Sequence, residues 1–341
     1  MTTSVLISGA SVAGPTLAWF LRRVGYEVTV VERAPALRDS GYAVDFRGDA
    51  LDVLAEMGIL DEVRTHATGM RHTSLVDANG TEIDRWGAEA FGGDLEVPKH
   101  ELTRILHRIT TDDVEYLFGD SITTLDEQTV HFERHETRDF DLVIGADGVH
   151  STVRELVFGD GLKHLGMSGA GFSTDNVLGL DLNGVLQPGS GTALYAFGTG
   201  DRMTVSLSFA TASAALDRRS RADQEHAVRT AFADHGWIVP DLLDAMSTAD
   251  DYYFASTCQV ELDTWHRGRV ALVGDAGYCA APTSGMGTSQ ALIGARTLAE
   301  HLADKDPEAA FRAYEHQLRP YIDANHVAGR EAAAMFGAGS V

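Results

Sequence analysis

The chain has 341 residues, 44% of them hydrophobic, and carries a formal net charge of −23 at pH 7. This length and apolar content suit one large domain or two coupled domains with a packed interior. The acidic surface leaves no basic stripe to neutralise phosphates, so we expect neither nucleic-acid binding nor attachment to an anionic membrane surface.

The cysteines, the N-terminus and the histidines exclude further classes of protein. Cys258 and Cys279 form no CxxC motif, and two thiols give no disulfide framework, so a reducing compartment is expected. A strand begins within the first residues and no apolar run approaches 18 residues, which excludes a signal peptide and a membrane span. His131 and His135 lie four apart on a strand-like segment, a spacing that predicts no metal site there. We expect a cytoplasmic protein without an obligate protein partner.

The first 31 residues predict a strand, a helix and a second strand. Residues 5–8 form a short apolar run, and residues 14–24 carry apolar side chains at helical spacing before Gly25. Glycine is common just past the end of a helix. Residues 26–31 are nearly continuously apolar, as in a parallel strand covered on both faces. The segment is therefore a predicted βαβ unit.

The middle of the chain predicts short elements around one hairpin. The hairpin turns at Asn79-Gly80, a strong turn signal between two alternating segments. In chain order we predict a helix at 49–57, hairpin strands at 71–77 and 81–86, a helix at 98–109, short strands at 114–118, 122–125 and 130–132, and a buried strand at 140–145 that returns to the main sheet.

From about residue 165 the pattern becomes rich in strands. Residues 193–197 and 203–209 predict a hairpin in which two rows of side chains alternate. The apolar row is Met203, Val205, Leu207 and Phe209, and the polar row, which faces either a cavity or solvent, is Thr204, Ser206 and Ser208. Helices are predicted at 222–235, 288–302 and 306–334, with a buried strand at 269–273. Asp306 is the expected N-cap of the last helix, which Pro320 should kink.

The sequence pattern alternates between mixed helix–strand segments and strand-rich segments, which predicts two interleaved domains. Residues 1–72, 97–166 and 265–341 are predicted to form an α/β nucleotide-binding domain. Residues 73–96 and 167–264 are predicted to form a β-sheet domain inserted between its parts.

A glycine turn follows the first strand, in the run Gly9, Ala10, Ser11, Val12, Ala13 and Gly14. Such a turn lets backbone N–H groups approach a pyrophosphate, and the helix start behind it favours negative charge. Glu32, which ends the second strand, lies where a carboxylate accepts hydrogen bonds from a ribose. Ser11 replaces the second glycine of the usual fingerprint. Taken alone, the run also fits an ordinary strand–turn–helix.

Two later motifs decide the length of the ligand. Asp147-Gly148 follows a buried strand, where it could be a turn or the cap of a helix near Ser151. Asp275 ends a second strand and is followed by the helix start Gly285-Met286-Gly287. A carboxylate there can hold a polyol hydroxyl, and the amides of the helix start can face an electron-rich oxygen. One ligand that reaches both this segment and the Gly9 turn is FAD.

These motifs, in this order and approximate spacing, resemble the class A flavin-dependent monooxygenases, the para-hydroxybenzoate-hydroxylase-like aromatic hydroxylases. The closer likeness is to their tetracycline-modifying and polyketide-tailoring branch, and it covers nearly the whole chain. The resemblance implies a Rossmann-like FAD-binding domain, an interleaved β-sheet substrate domain and C-terminal helices. The cofactor contacts that it implies are Gly9, Ser11, Val12, Ala13, Gly14, Glu32, Arg33, Asp45, Arg47, Lys99, Asp147, Gly148, Arg154, Asp275, Pro282, Gly285, Met286 and Gly287.

The chain departs from the family pattern at four of these motif positions. Lys99 stands where the family has an arginine, and a lysine cannot make the planar bidentate contact. Tyr278 replaces a histidine, Ala281 the first of two prolines, and Ser289 an asparagine.

The resemblance implies that NADPH or NADH reduces bound FAD and that a flavin C4a-hydroperoxide hydroxylates an aromatic or enolic small molecule with O2, polycyclic antibiotic-like molecules being among the candidates. Most of the chemistry then belongs to the cofactor. Arg47 is the candidate for a residue that touches flavin and substrate and assists hydride transfer. Two rivals stay open. One is a protein of the same fold that holds flavin without redox chemistry, and the other is an NAD-dependent dehydrogenase that uses only the Gly9 turn.

Overall fold

The computed structural model describes residues 2–37, 43–88 and 93–334. The strands are β1 Ser4–Ser8, β2 Glu27–Glu32, β3 Ala43–Phe46, β4 His72–Val76, β5 Glu82–Gly87, β6 Leu95–Pro98, β7 Glu115–Phe118, β8 Ile122–Leu125, β9 Thr129–Phe132, β10 Arg138–Asp139, β11 Leu142–Gly145, β12 Leu162–Asp175, β13 Asn183–Gly189, β14 Thr192–Thr199, β15 Arg202–Ala210, β16 Tyr253–Val260, β17 His266–Arg267 and β18 Val270–Leu272. The α-helices are α1 Ala13–Arg23, α2 Asp49–Glu56, α3 Leu60–Thr65, α4 Lys99–Arg108, α5 Thr152–Val157, α6 Arg221–Ala231, α7 Val239–Thr248, α8 Asp275–Tyr278, α9 Gly287–Asp304 and α10 Pro307–Ala333.

A six-stranded sheet collects strands from both ends of the chain, in the order β17-β18-β11-β1-β2-β7. All of its pairs are parallel except β17 with β18. The predicted βαβ unit is confirmed, and so is the return of the strand before Gly145 to this sheet. Because the strands are parallel, their carboxyl ends meet at one edge, where ligands bind in open α/β sheets. The polar or glycine residues that end strands there are Ser8, Glu32 and Gly145.

A seven-stranded sheet has the order β16-β12-β15-β14-β13-β4-β5. The predicted hairpins β4–β5 and β14–β15 both lie in it. The apolar row of β15, from Met203 to Phe209, is buried in a second core with residues of α6 and α7 such as Val228 and Leu242. Since side chains alternate across a strand, the row of Thr204 and Ser206 lies on the opposite face of this sheet.

A two-stranded antiparallel ribbon completes the part of the fold that matters for function. In it β3 pairs with β6, and Asp45 lies directly opposite Glu96. Val44 and Val97 are buried on the other face of the ribbon. The two carboxyl side chains therefore share the face that is not packed into the core.

Several elements differ from the predictions. Three elements, α3, β6 and α7, were not predicted from the sequence, and neither was the 14-residue strand β12. The helix predicted at 222–235 ends at Ala231. Asp306 caps α10 as expected, accepting from the N–H of Ala309 at 3.1 Å, and α10 continues as one helix through Pro320. The predicted domain boundaries stay predictions, and residues 335–341 lie outside the described part of the chain.

Candidate functional site

The three glycine-bearing motifs converge at the carboxyl edge of the six-stranded sheet. Backbone hydrogen bonds join the strand ends, from Ala146 N to Ser8 O at 2.8 Å and from Val273 N to Gly145 O at 2.8 Å. A Cβ on Gly274 would lie 3.2 Å from the Cβ of Ala13. Segments far apart in sequence therefore form one continuous wall, as a single extended ligand requires.

The Gly9 turn is shaped by close backbone approach. Gly9 has a φ of 110°, and a Cβ there would lie 2.4 Å from the carbonyl oxygen of Ala146. A Cβ on Gly14 would lie 1.9 Å from the Gly9 carbonyl oxygen. No other residue fits at either position without moving the backbone. Ser11, in place of the second glycine, is half-buried between them, and the 11-residue helix α1 directs the amides of its first turn at this point.

Glu32 is held at the turn by two backbone amides. Its carboxylate accepts from Ala10 N at 2.9 Å and from Ala34 N at 2.8 Å. The side chain at the end of β2 therefore lies beside the Gly9 turn, as the ribose assignment requires. Arg33, which follows it, is exposed.

Asp147 takes the structural role that the sequence left open. Its carboxylate accepts from the hydroxyls of Ser8 and Ser151 and from Thr152 N, the first amide of α5, whose N-cap is Ser151. Burial raises the pKa of this carboxyl, although these hydrogen bonds oppose the shift. Gly148 has a φ of 82° and open space where a side chain would stand.

Arg154 is fully buried. It donates to the carbonyl oxygens of Val149 at 2.6 Å, Asp160 at 2.6 Å and Ala276 at 3.1 Å. Its guanidinium therefore links α5 to α8, the short helix that begins at Asp275. The contact with FAD that the resemblance assigns to Arg154 stays a prediction.

Asp275 lies at the far end of the same wall. A Cβ on Gly287 would be 3.7 Å from its Oδ1. Burial raises the pKa of the Asp275 carboxyl, whereas the charge of Lys99 and a hydrogen bond from Cys279 lower it. Lys99, at the start of α4, is therefore near enough for its charge to act on the carboxylate that follows β18.

The loop before α9 approaches the β3–β6 ribbon. Residues Pro282–Ser284 form a short 3-10 turn, and Gly285 follows with a φ of 63°. A Cβ on Gly285 would lie 3.6 Å from Arg47 Nη2 and 3.8 Å from Asp45 Oδ2. Met286 N donates to Ser284 Oγ at 3.2 Å at the start of α9. We call the loop of Pro282, Gly285, Met286 and Gly287 the predicted isoalloxazine loop, because the resemblance assigns it to the isoalloxazine of FAD. This loop therefore forms one surface with Asp45 and Arg47.

Two departures from the family pattern have local explanations. Ser289 Oγ accepts from Arg47 N at 3.0 Å, so this serine fixes the backbone of the residue beside the loop. Tyr278 is fully buried, and its hydroxyl accepts from Tyr314 at 2.9 Å. Tyr278 therefore belongs to the core and not to the site. Ala281 adopts a φ of 75°, an uncommon conformation for a residue with a side chain.

The ribbon contributes a carboxyl pair that the sequence analysis did not identify as such. Glu96 faces Asp45 across β3–β6 and receives a hydrogen bond from the Thr68 hydroxyl. Asp45 accepts from Gly93 N at 2.9 Å. Burial raises the pKa of both carboxyls, and the charge of Asp45 raises that of Glu96 further.

These residues fit FAD in kind and order. Amides at a helix start suit a pyrophosphate, Glu32 suits a ribose, and Asp275 suits a polyol. Gly285–Gly287 offer a helix N-terminus to a ring that gains negative charge on reduction. Neither a group of three metal-ligating side chains nor a helix able to cross a bilayer occurs within residues 2–37, 43–88 and 93–334.

Comparisons with known proteins agree with this arrangement. The model of the FAD binding domain family matches residues 2–325. A flavin-dependent monooxygenase from an unknown prokaryotic organism is 37% identical over 342 residues, covering 96% of this chain and 89% of the relative. The crystal structure of tetracycline destructase Tet(55) has a TM-score of 0.90 at 36% identity, covering 97% of this chain and 89% of that one. For tetracycline destructase Tet(51) the TM-score is 0.89 at 33% identity, with 99% and 92% covered.

Proposed function

This chain belongs to the FAD binding domain family, among the class A flavin-dependent monooxygenases, and from that premise we propose that it hydroxylates an aromatic or enolic small molecule with NADPH or NADH as reductant. The observation that supports this most directly is that Asp275 lies beside Gly287 at the start of α9, where the charge of Lys99 also acts on it. An NAD-dependent dehydrogenase would need only the Gly9 turn and would leave this second cluster without a role.

We assign the two ends of FAD to the two ends of the wall. The turn Gly9–Gly14 and the carboxylate of Glu32 would bind the pyrophosphate and the adenosine ribose. Asp275 would accept a hydrogen bond from the ribityl chain, with Lys99 close to the nearby phosphate. The helix start at Gly285–Gly287 would face the pyrimidine edge of the isoalloxazine.

Bound FAD would supply the redox chemistry, namely hydride acceptance from the nicotinamide and activation of O2. The protein orients the substrate, excludes water and sets the local charge. Arg47 is our candidate for the side chain that meets flavin and substrate, because it lies beside Gly285 and its backbone is fixed by Ser289. A guanidinium at this place would stabilise negative charge as it develops.

The substrate is proposed from the relatives. Two similar structures are tetracycline destructases, so a polycyclic, enolic molecule such as tetracycline is the first compound to test. The same fold could also hold flavin without redox chemistry. This second candidate predicts a yellow protein whose flavin NADPH does not reduce, with or without substrate.

Stopped-flow reduction of the bound flavin by NADPH and by NADH, with and without tetracycline, tests the proposal. We expect tetracycline to speed reduction and to gain one oxygen atom from O2, as seen by mass spectrometry. If neither tetracycline nor a panel of phenols speeds reduction or is oxygenated, the monooxygenase proposal fails and flavin holding remains.

A further inference from the structure

One face of the seven-stranded sheet packs on α6 and α7. The opposite face carries the row of Thr204 and Ser206 together with Tyr195. On this face two strands have a glycine beside a tyrosine of the neighbouring strand. A Cβ on Gly171 would lie 2.1 Å from Cζ of Tyr253, and a Cβ on Gly184 would lie 3.1 Å from the hydroxyl oxygen of Tyr195. Two tyrosine rings therefore lie flat against the sheet over glycine positions.

Tyr195 connects this sheet to the carboxyl pair. Its hydroxyl hydrogen-bonds with Thr73 on the neighbouring part of the sheet. Burial raises the pKa of the Tyr195 phenol, and the charges of Glu96 and Asp45 raise it further. A phenol with a raised pKa keeps its proton at neutral pH. Glu96 and Asp45 lie opposite each other on the ribbon, and both are near enough for their charges to act on Tyr195; we call these three residues the polar wall.

This polar wall meets the predicted isoalloxazine loop at Asp45, whose Oδ2 lies 3.8 Å from the Cβ position of Gly285. The charges near it do not cancel. Asp45 and Glu96 carry two negative charges when ionised, and Arg47 supplies one positive charge beside Asp45. Lys99 acts on Asp275 instead. The polar wall is therefore rich in hydrogen-bond acceptors, and it carries a net negative charge when both carboxyls are ionised.

We propose that Tyr195 and the Asp45–Glu96 pair determine substrate specificity, accepting hydrogen bonds from hydroxyl or ammonium groups and disfavouring ring substrates that carry a carboxylate. This inference rests on the proposed function, because it takes the cleft beside the flavin loop as the substrate site. A second negative charge brought against two partly buried carboxyls would be repelled at short range, with little screening by solvent. A hydroxyl or ammonium group would satisfy them instead.

Three matched phenols test the inference on the FAD-loaded protein: 4-hydroxybenzylamine, 4-hydroxybenzyl alcohol and 4-hydroxybenzoate. Their Kd values would be measured from the change in the visible spectrum of the bound flavin. We expect the amine to bind about tenfold or more tightly than the benzoate, with the alcohol between them. Glu96→Gln should reduce this ratio about tenfold, whereas Glu127→Gln, in an exposed turn outside the site, should leave it unchanged.

Tyr195→Phe isolates the hydroxyl, because the phenylalanine ring still fits over Gly184. We expect weaker binding of the alcohol by about fivefold with unchanged flavin content. Tyr116→Phe is the matched control, since Tyr116 hydrogen-bonds with Thr110 away from the cleft. The wild-type order of the three probes needs no variant, so it remains decisive if Glu96→Gln does not fold.

The two proposals fail in different ways. A colourless protein that takes up no FAD overturns the proposed function. The assignment of the polar wall is overturned if a yellow protein binds the three phenols equally, prefers the benzoate or binds none of them. The assignment of the flavin site is not affected by these outcomes.

Discussion

Gly9 touches the backbone of Ala146 so closely that a Cβ at position 9 would lie 2.4 Å from the Ala146 carbonyl oxygen. This contact joins the first glycine turn to the loop after β11. The shape of the pyrophosphate turn therefore depends on a segment more than a hundred residues away in the chain. Glycine is required at position 9 because the Ala146 backbone leaves no room for a side chain.

Gly9→Ala should therefore destabilise the protein and reduce its FAD content. Gly25→Ala is the control, because Gly25 also has a positive φ, 92°, but nothing lies within 4 Å of its Cβ position. Backbone strain alone should lower the free energy of unfolding of Gly25→Ala by about 1–2 kcal/mol. We expect Gly9→Ala to lose more in thermal unfolding, and equal losses in the two variants would contradict the steric argument.

Asp275→Asn should weaken FAD binding about tenfold or more, because a charged acceptor is replaced by a neutral one at a partly buried site. Asp304→Asn, at the exposed end of α9, controls for the loss of one negative charge. The measurement is the Kd of the apoprotein for FAD by fluorescence quenching. An unchanged Kd in Asp275→Asn would remove Asp275 from the cofactor site.

Lys99→Arg should bind FAD as tightly as the wild type or more tightly, since arginine restores the bidentate geometry of the family pattern. Lys99→Met should bind FAD several-fold more weakly, because the charge that faces Asp275 is lost. The same titration measures both variants. A clear weakening in Lys99→Arg would show that this side chain does not meet the nucleotide.

FAD should stabilise the protein more at neutral than at acidic pH. Burial raises the pKa of the Asp275 carboxyl. In the protein without ligand, this shift adds to the free energy of unfolding fully at pH values below the ordinary pKa of an aspartate. The contribution is lost as the pH rises through the raised pKa. A ribityl hydroxyl donating to the carboxylate would reverse that loss. The gain in Tm on adding FAD should therefore be larger at about pH 7 than at about pH 5, and Asp275→Asn should flatten the difference. A gain that is larger at the acidic pH in the wild type would contradict this.

Elements with strong local signals were predicted well. The βαβ unit, the Asn79-Gly80 hairpin, the alternating rows of β15 and the cap at Asp306 follow from residues adjacent in sequence. Such signals report periodicity and turn chemistry, which local sequence determines. They do not report which face of a sheet is covered, so the polar row on β15 could be assigned only once α6 and α7 were seen on the other face.

The missed features depend on distant partners. β12 was overlooked because Gly169 and Gly171 interrupt its apolar alternation, and those glycines make sense only against Ser208 and Tyr253 across the sheet. Glu96 lies in a short segment without a motif, and its partner Asp45 is on another strand. The alternation of Val97 with Glu96 was the one local signal that could have suggested a strand with an outward carboxylate.

The family motifs named Asp147 and Arg154 as cofactor contacts, and both side chains also make structural hydrogen bonds. Asp147 accepts from the first amide of α5, and Arg154 donates to the Ala276 carbonyl oxygen in α8. These partners are distant in sequence or set by the fold, so a motif alone could not reveal them. The cofactor assignments stay predictions that flavin titrations of single variants can test.

The visible absorption spectrum of the purified protein, recorded before and after incubation with FAD and removal of the excess, tests the central claim most directly. The arrangement of the Gly9 turn, Glu32, Lys99 and Asp275 predicts flavin bands that remain with the protein and a released nucleotide that is identified as FAD. A protein that stays colourless after incubation, or that retains a different nucleotide, would contradict the assignment of this wall to FAD.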